Sequence, residues 1–157
     1  MKIAEAVKLA EKSDDVKKLS KDGYYLNSAM AFLESGDKDA SIWDLVYYEP
    51  TANKSAQIVV ENGEIFLKEI GTPVKPTKET LTLSEVKTSS EKMLTKAGIE
   101  FQKYKQPLSQ IILTIQKEGD KTVWKVNYIT KMLYLVSIAL DAKTGDLLSS
   151  EMHSLSK

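Results

Sequence analysis

The sequence predicts an α+β protein of two tandem units, each a helix packed on a three- or four-stranded antiparallel sheet. Three observations predict it. First, a tryptophan strand occurs twice: Ile42-Trp43-Asp44-Leu45-Val46-Tyr47 and Val123-Trp124-Lys125-Val126-Asn127-Tyr128, 81 residues apart (124 − 43). Second, each is followed by an apolar strand, a turn and a return: Ile58 to Ile65 with Asn62-Gly63, and Ile138 to Leu147 with Thr144-Gly145. Third, each is preceded by a segment of helical period. The units are read as residues 1–71 and 81–157. The linker is 72–80, where Pro73 and Pro76 fix φ and disfavour helix before them.

The elements follow in order. Ile3, Ala6, Val7 and Ala10 recur at helical spacing. Asp14 or Asp15 is the expected cap of a short second helix that turns Val16 and Leu19 inward and stops at Asp22-Gly23. Tyr24 to Leu33 reads as a strand, residues 35–39 as a turn and Ile42 to Tyr48 as the second strand. A loop over 49–54 leads to a third strand, Gln57 to Glu61. Asn62-Gly63 calls for a type I′ hairpin, whose two central residues need positive φ. Glu64 to Ile70 is the return strand.

In the second unit Thr82 and Glu85 are spaced as a capping box, with Leu81 and Val86 as a staple, so a helix is expected from Thr82 to a stop at Gly98. Residues 99–109 carry no clear period, and Pro107 argues for an extended path. Strands follow over Ile111 to Gln116, Val123 to Ile129, Tyr134 to Asp141 and Asp146 to Ser150, with Gly145 in a left-handed turn position. The helices align at an offset of 80, matching Ile3 with Leu83 and setting Lys2 against Thr82. Because the chain opens in a helix with no cap ahead of it, we expect natural sequence upstream of Met1, such as a signal or an anchor.

Composition narrows the function. The 157 residues carry 22 basic and 22 acidic side chains, so no net field draws the chain to nucleic acid or an anionic surface. All the basic residues are lysine; without arginine the bidentate guanine contact and the forked phosphate clamp are missing. There is no cysteine, hence no disulfide, thiolate metal site or cysteine nucleophile. No apolar run reaches the ~18 residues of a membrane span.

The second unit resembles the PepSY family, on Val123-Trp124-Lys125-Val126 followed by Ile138-Ala139-Leu140-Asp141-Ala142-Lys143-Thr144-Gly145-Asp146-Leu147. The match covers roughly residues 82–152, and the first unit looks like a degenerate copy with Glu61-Asn62-Gly63-Glu64 as its shortened turn. The resemblance implies cystatin-like α+β units that are not catalytic, usually lie outside the cytoplasm, and bind or inhibit peptidases or act as sensors. It carries no catalytic residues over.

Candidate chemistry is sparse. Trp43, Leu45 and Tyr47 share one strand face, as do Trp124, Val126 and Tyr128, with Asp44, Lys125 and Asn127 opposite; the tryptophan faces are therefore expected in the core. His153, the single histidine, is expected in a solvated tail with nothing to orient it for catalysis. Asp141 to Asp146 lacks the alternating oxygens of a calcium loop and reads as a turn. No catalytic residue, cofactor or metal site is expected. The halves differ most in one loop: Met132, Leu133 and Tyr134 form an apolar tip where the first half has the polar loop at Pro50. These four are the candidate partner-binding residues, with a peptide or protein as the ligand. The alternative is a small-molecule-binding or catalytic protein using a helix–sheet pocket. A roomy pocket holding a buried charge favours that alternative; an exposed apolar tip favours the binding module.

Overall fold

The computed structural model describes residues 1–72 and 79–156. The elements run α1 (Ile3–Glu11), α2 (Asp14–Lys21), β1 (Tyr25–Leu33), β2 (Ile42–Glu49), β3 (Lys54–Glu61), β4 (Glu64–Gly71), α3 (Ser90–Gln102), β5 (Leu108–Glu118), β6 (Lys121–Thr130), β7 (Tyr134–Asp141) and β8 (Leu147–Ser154), with a short 3₁₀ turn at Leu83–Glu85. The strands form one antiparallel sheet in the order β4-β3-β2-β1-β5-β6-β7-β8. The chain is α+β. The predicted linker falls largely on residues 73–78, outside the described residues.

Each group of four consecutive strands is a meander, and the groups join edge to edge where β1 pairs β5 from Ser28↔Gln116 to Leu33↔Ile111. A single eight-stranded sheet thus stands where two separate small sheets were expected. The groups also share a core. Trp43 and Trp124 are fully buried, and their rings meet at 6.2 Å and 43°. Around them pack Leu45, Ile58 and Val60 from one group and Leu113, Ile115, Val126 and Ile138 from the other. Those side chains alternate along their strands, which brings one sheet face under the helices.

The α1 stripe Ile3, Ala6, Val7 and Ala10 is buried. The cap of α2 is Ser13, whose Oγ accepts from Val16 N at 3.3 Å. Asp14 and Asp15 sit inside the first turn, where their charge suits the helix dipole without capping it. Gly23, at φ 89°, closes α2, and Tyr24 N donates to Leu19 O at 3.0 Å. Asn62 and Gly63 take φ of 49° and 76°, the two positive values that the hairpin demands.

The third helix departs from the expectation. It starts at Ser90 under a Ser89 cap, which accepts from Lys92 N at 3.2 Å, and runs through Gly98 to Gln102. The Thr82–Glu85 box does not close because Glu85 has better partners: Thr122 Oγ1 donates to its carboxylate at 2.9 Å and Lys117 Nζ at 3.3 Å. Leu81 is not a staple but is buried in the shared core, its N–H donating to Leu26 O at 2.9 Å. Lys87 and Thr88 are held extended by Ala142 O, at 2.9 and 3.0 Å.

The comparable helical contacts of the two halves are spaced 87 residues apart, where 80 was expected. Trp43 Nε1 donates to Met1 O at 3.0 Å and Trp124 Nε1 donates to Thr88 Oγ1 at 3.2 Å, and 88 − 1 is 87. The buried stripe Ile3, Ala6, Val7, Ala10 matches Ser90, Met93, Leu94, Ala97 at that same offset. The error of seven residues is about two helical turns, which leaves an apolar stripe nearly in phase. Lys2 therefore corresponds to the cap Ser89 rather than to Thr82. The Met1 ammonium donates to Ala40 O at 2.7 Å and lies 3.6 Å from Asp39.

Candidate functional site

The β6–β7 turn is held by Thr130 and by Pro107 from the segment ahead of β5. Lys131 N donates to Pro107 O at 2.8 Å, Leu133 N to Thr130 O at 3.1 Å, and Tyr134 N to Thr130 Oγ1 at 3.0 Å. Leu133 has φ 62°, a left-handed conformation that costs a leucine roughly 1–2 kcal/mol. The result lifts apolar side chains into solvent: Met132 is 65% exposed and Leu133 54%. Tyr134 is half-buried at the start of β7.

Leu155 joins this tip. Its N–H donates to Leu133 O at 2.7 Å and its side chain is 50% exposed. The sequence reading missed it because β8 was expected to end at Ser150; the strand instead continues to Ser154, paired with Tyr134. His153 is part of that strand, opposite Leu135 and 3.2 Å from Glu151 Oε2, rather than in a loose tail. It remains exposed at the sheet edge.

Pro50 is not brought to the same place. β2 and β6 run in opposite directions in the sheet, so the β2–β3 and β6–β7 turns lie at opposite ends. The Pro50 turn is also satisfied internally. Glu49 accepts from Thr51 N at 2.8 Å and Ala52 N at 2.6 Å, which holds its carboxyl below the usual range, and Tyr48 Oη donates to Asn53 Oδ1 at 2.9 Å.

The charged residues of the family-like turn are structural. Asp141 Oδ1 accepts from Lys143 N at 2.8 Å and Thr144 N at 3.3 Å, while Oδ2 faces Lys121 Nζ at 3.3 Å. These bonds hold the Asp141 carboxyl below its ordinary value. Lys96 Nζ donates to Gly145 O, tying α3 to the same turn. Glu85 is likewise lowered, by Thr122 first and Lys117 second. Such ionised, bonded carboxylates suit anchoring rather than proton delivery. Burial raises the carboxyl of Asp44, on the sheet face away from the helices; Lys68 opposes the rise. Among the described residues, no three His, Cys, Asp or Glu side chains gather as metal ligands, and no helix is long and apolar enough to cross a membrane.

The sheet face away from the helices is open. One row across it reads Phe66, Val59, Asp44, Met30, Thr114, Lys125, Ala139, Ser149. Phe32 beside it is 55% exposed and Phe66, on the β4 edge, 46%. This face mixes apolar and charged groups, whereas the β6–β7 tip concentrates apolar ones.

No family model and no curated protein matches the chain. The crystal structure of a "putative lipoprotein" from Clostridium difficile 630 is similar in fold, with a TM-score of 0.55 and 11% identity over 88% of this chain and 89% of that one.

Proposed function

We propose that this chain is a non-enzymatic, PepSY-like binding module that works outside the cytoplasm and takes a peptide or protein as its ligand. The observation that carries the reading is the tip: Met132, Leu133 and Leu155 stand half or more exposed on neighbouring backbone, and Leu133 is held there at a backbone cost. Apolar side chains gathered on a firm turn are what a partner can desolvate for a gain in binding energy. Two PepSY-like repeats, 1–71 and 81–157, are the finer reading of the fold. The common offset of 87 between the helical stripes and between the partners of the two tryptophans supports it. The extracytoplasmic setting is supported by the family resemblance and by the likeness in fold to a protein described as a "putative lipoprotein".

The test is a peptide-display selection against the whole chain, with the selected peptides then measured by calorimetry against wild type and a Met132→Asp/Leu133→Asp variant. Selected peptides are expected to lose at least about tenfold in affinity, which is one well-packed apolar contact or more, while the melting temperature stays within a few degrees. Peptides that bind the variant as well as wild type would remove the tip from the function. Reproducible turnover of any substrate, abolished by a single side-chain replacement, would remove the non-enzymatic reading.

A further inference from the structure

The helices bury their stripes on one face of the sheet, among the side chains around Trp43 and Trp124. The middle of the other face is apolar, where a solvated sheet face normally turns polar side chains outward. Phe32 is 55% exposed and Ile42 40%, with Met30 and Ile112 half-buried beside them. Met30 and Phe32 on β1 stand opposite Thr114 and Ile112 on β5, at the centre of the eight-stranded order. Contiguous apolar surface of this kind marks an interaction site.

Charge on this face is set out along one row. Asp44, Met30, Thr114 and Lys125 are successive register partners across β2, β1, β5 and β6. The acid and the base therefore flank the β1–β5 seam at equal distances. At ~4.8 Å per strand they stand roughly 14 Å apart, too far to pair with each other. Within the chain Lys125 Nζ lies 3.2 Å from Glu118 Oε1, in a pair 36% and 38% exposed, and Lys68 acts on Asp44. Ion pairs so exposed contribute little and are readily exchanged.

We infer that this face docks on the same face of a second copy, in a twofold dimer whose axis runs along the β1–β5 seam. That rotation lays β2 of one copy over β6 of the other, and β1 over β5. Asp44 then meets the partner's Lys125, and the same contact recurs on the far side of the axis. Phe32 meets the partner's Ile112. An isologous interface needs just such self-complementarity. An axis across the strands would instead set Asp44 on the partner's Asp44 and Lys125 on the partner's Lys125, so charge selects the seam. Stacked sheets lie about 10 Å apart with strands crossing at about 30°, which keeps positions near the axis face to face. The area suffices. The six central strands, β3 to β7 in the sheet order, offer about 750 Å² per copy at ~4.8 Å per strand and ~3.3 Å per residue, close to the ~800 Å² per partner of a standard interface.

The test is sedimentation equilibrium of the whole chain. Wild type should dimerise with a dissociation constant on the order of 10 µM. Asp44→Lys and Lys125→Asp should each weaken the dimer at least about tenfold, because each sets like charges face to face twice. Mixing the two variants should restore it, since each supplies the charge that the other lacks. The doubly reversed Asp44→Lys/Lys125→Asp chain, whose net charge is that of wild type, should dimerise within about threefold of wild type. A wild-type chain still monomeric at about 1 mM would leave the face to some other partner and overturn the inference. So would a dimer that keeps its strength through both single reversals, which would place the contact at the β4 or β8 edge. Failure of the mixture and of the double reversal to recover would overturn it as well. If a variant misfolds, wild type decides the matter through isotope-filtered NOEs from the Phe32 ring of one copy to the Ile112 methyls of the other. The Met132→Asp/Leu133→Asp protein should dimerise as wild type does, so this face and the tip stand or fall separately.

Discussion

The contact between Trp43 and Trp124 makes the two halves of the chain one folding unit, and that is open to measurement. Large aromatic side chains bury about 150–250 Å² each, which at ~25 cal/mol/Å² is about 4–6 kcal/mol. Both tryptophans are fully buried. Alanine keeps the Cβ and the surroundings relax in part, so Trp43→Ala and Trp124→Ala should each cost about 3–5 kcal/mol. Removing both would consume much of the about 5–15 kcal/mol that holds a domain folded, so the coupling is better read from phenylalanine. Trp43→Phe and Trp124→Phe each remove one ring and one Nε1–H donor, orphaning Met1 O or weakening the hold on Thr88. About 1–2 kcal/mol is expected for each. Because the rings touch at 6.2 Å, the double variant should deviate from the sum by about 0.5–1.5 kcal/mol. Urea unfolding followed by circular dichroism supplies all four corners of the cycle. Additivity within about 0.3 kcal/mol, or two resolved transitions in wild type, would refute a shared core. An alanine variant that melts near wild type would refute the burial of that tryptophan.

Three further outcomes are expected. Tyr47→Phe should raise stability by about 1 kcal/mol, because it deletes a buried hydroxyl with no partner among the described residues; a loss of stability in denaturant titration would mean that the hydroxyl is bonded after all. Asp141 has a folded-state pKa below its unfolded one, so its contribution is present above the unfolded value, about 3.9, and is lost as pH falls through the folded value. Asp141→Ala should therefore cost about 1–3 kcal/mol at neutral pH and flatten the acid limb of the stability profile; an unchanged acid limb would count against the carboxylate bonds. Gly145→Ala should destabilise more than Gly63→Ala in thermal melts. Both glycines have positive φ, but a Cβ at Gly145 would stand 3.4 Å from Met93 Cε while one at Gly63 would meet nothing within 4 Å. Equal losses would show that backbone strain alone decides both.

Local chemistry was legible in the sequence wherever a few adjacent residues decide the outcome. Asn62-Gly63 could make only one kind of turn, and the alternation around Trp43 and Trp124 identified the inward face because a strand has a period of two. Competition between local and distant partners was not legible. Ser13 and Asp14 are equally good caps on paper, and the choice depends on where α1 ends. The Thr82–Glu85 spacing is a sound capping box, but Thr122 and Lys117 lie some 32–37 residues away in sequence and take the glutamate. The pairing of β1 with β5 joins strands about 80 residues apart, and no turn chemistry announces it. The tip at Met132 and Leu133 could be found by comparing the halves; its extension to Leu155 required the full length of β8.

The two tyrosines four residues beyond the tryptophans show what internal comparison can reveal once the register is right. At an offset of 80, the α3 residues that cover Tyr128 are matched with the wrong turn of the first half, and nothing distinguishes Tyr47 from its counterpart. At 87, Phe101, which stacks on Tyr128, is matched with Asp14 in the first turn of α2, so the two tyrosines are covered by different groups. Phe101 needs an unbroken helix beneath it, which α3 provides by running through Gly98. A Cβ at that glycine would stand 3.9 Å from Tyr128 Oη, an ordinary contact. In the first half Ser13 donates back to Ala10 O and accepts from Val16 N, ending one helix and starting the next. The two tyrosines thus reach the same burial, 4% exposed at Tyr47 and 3% at Tyr128, under different helical arrangements.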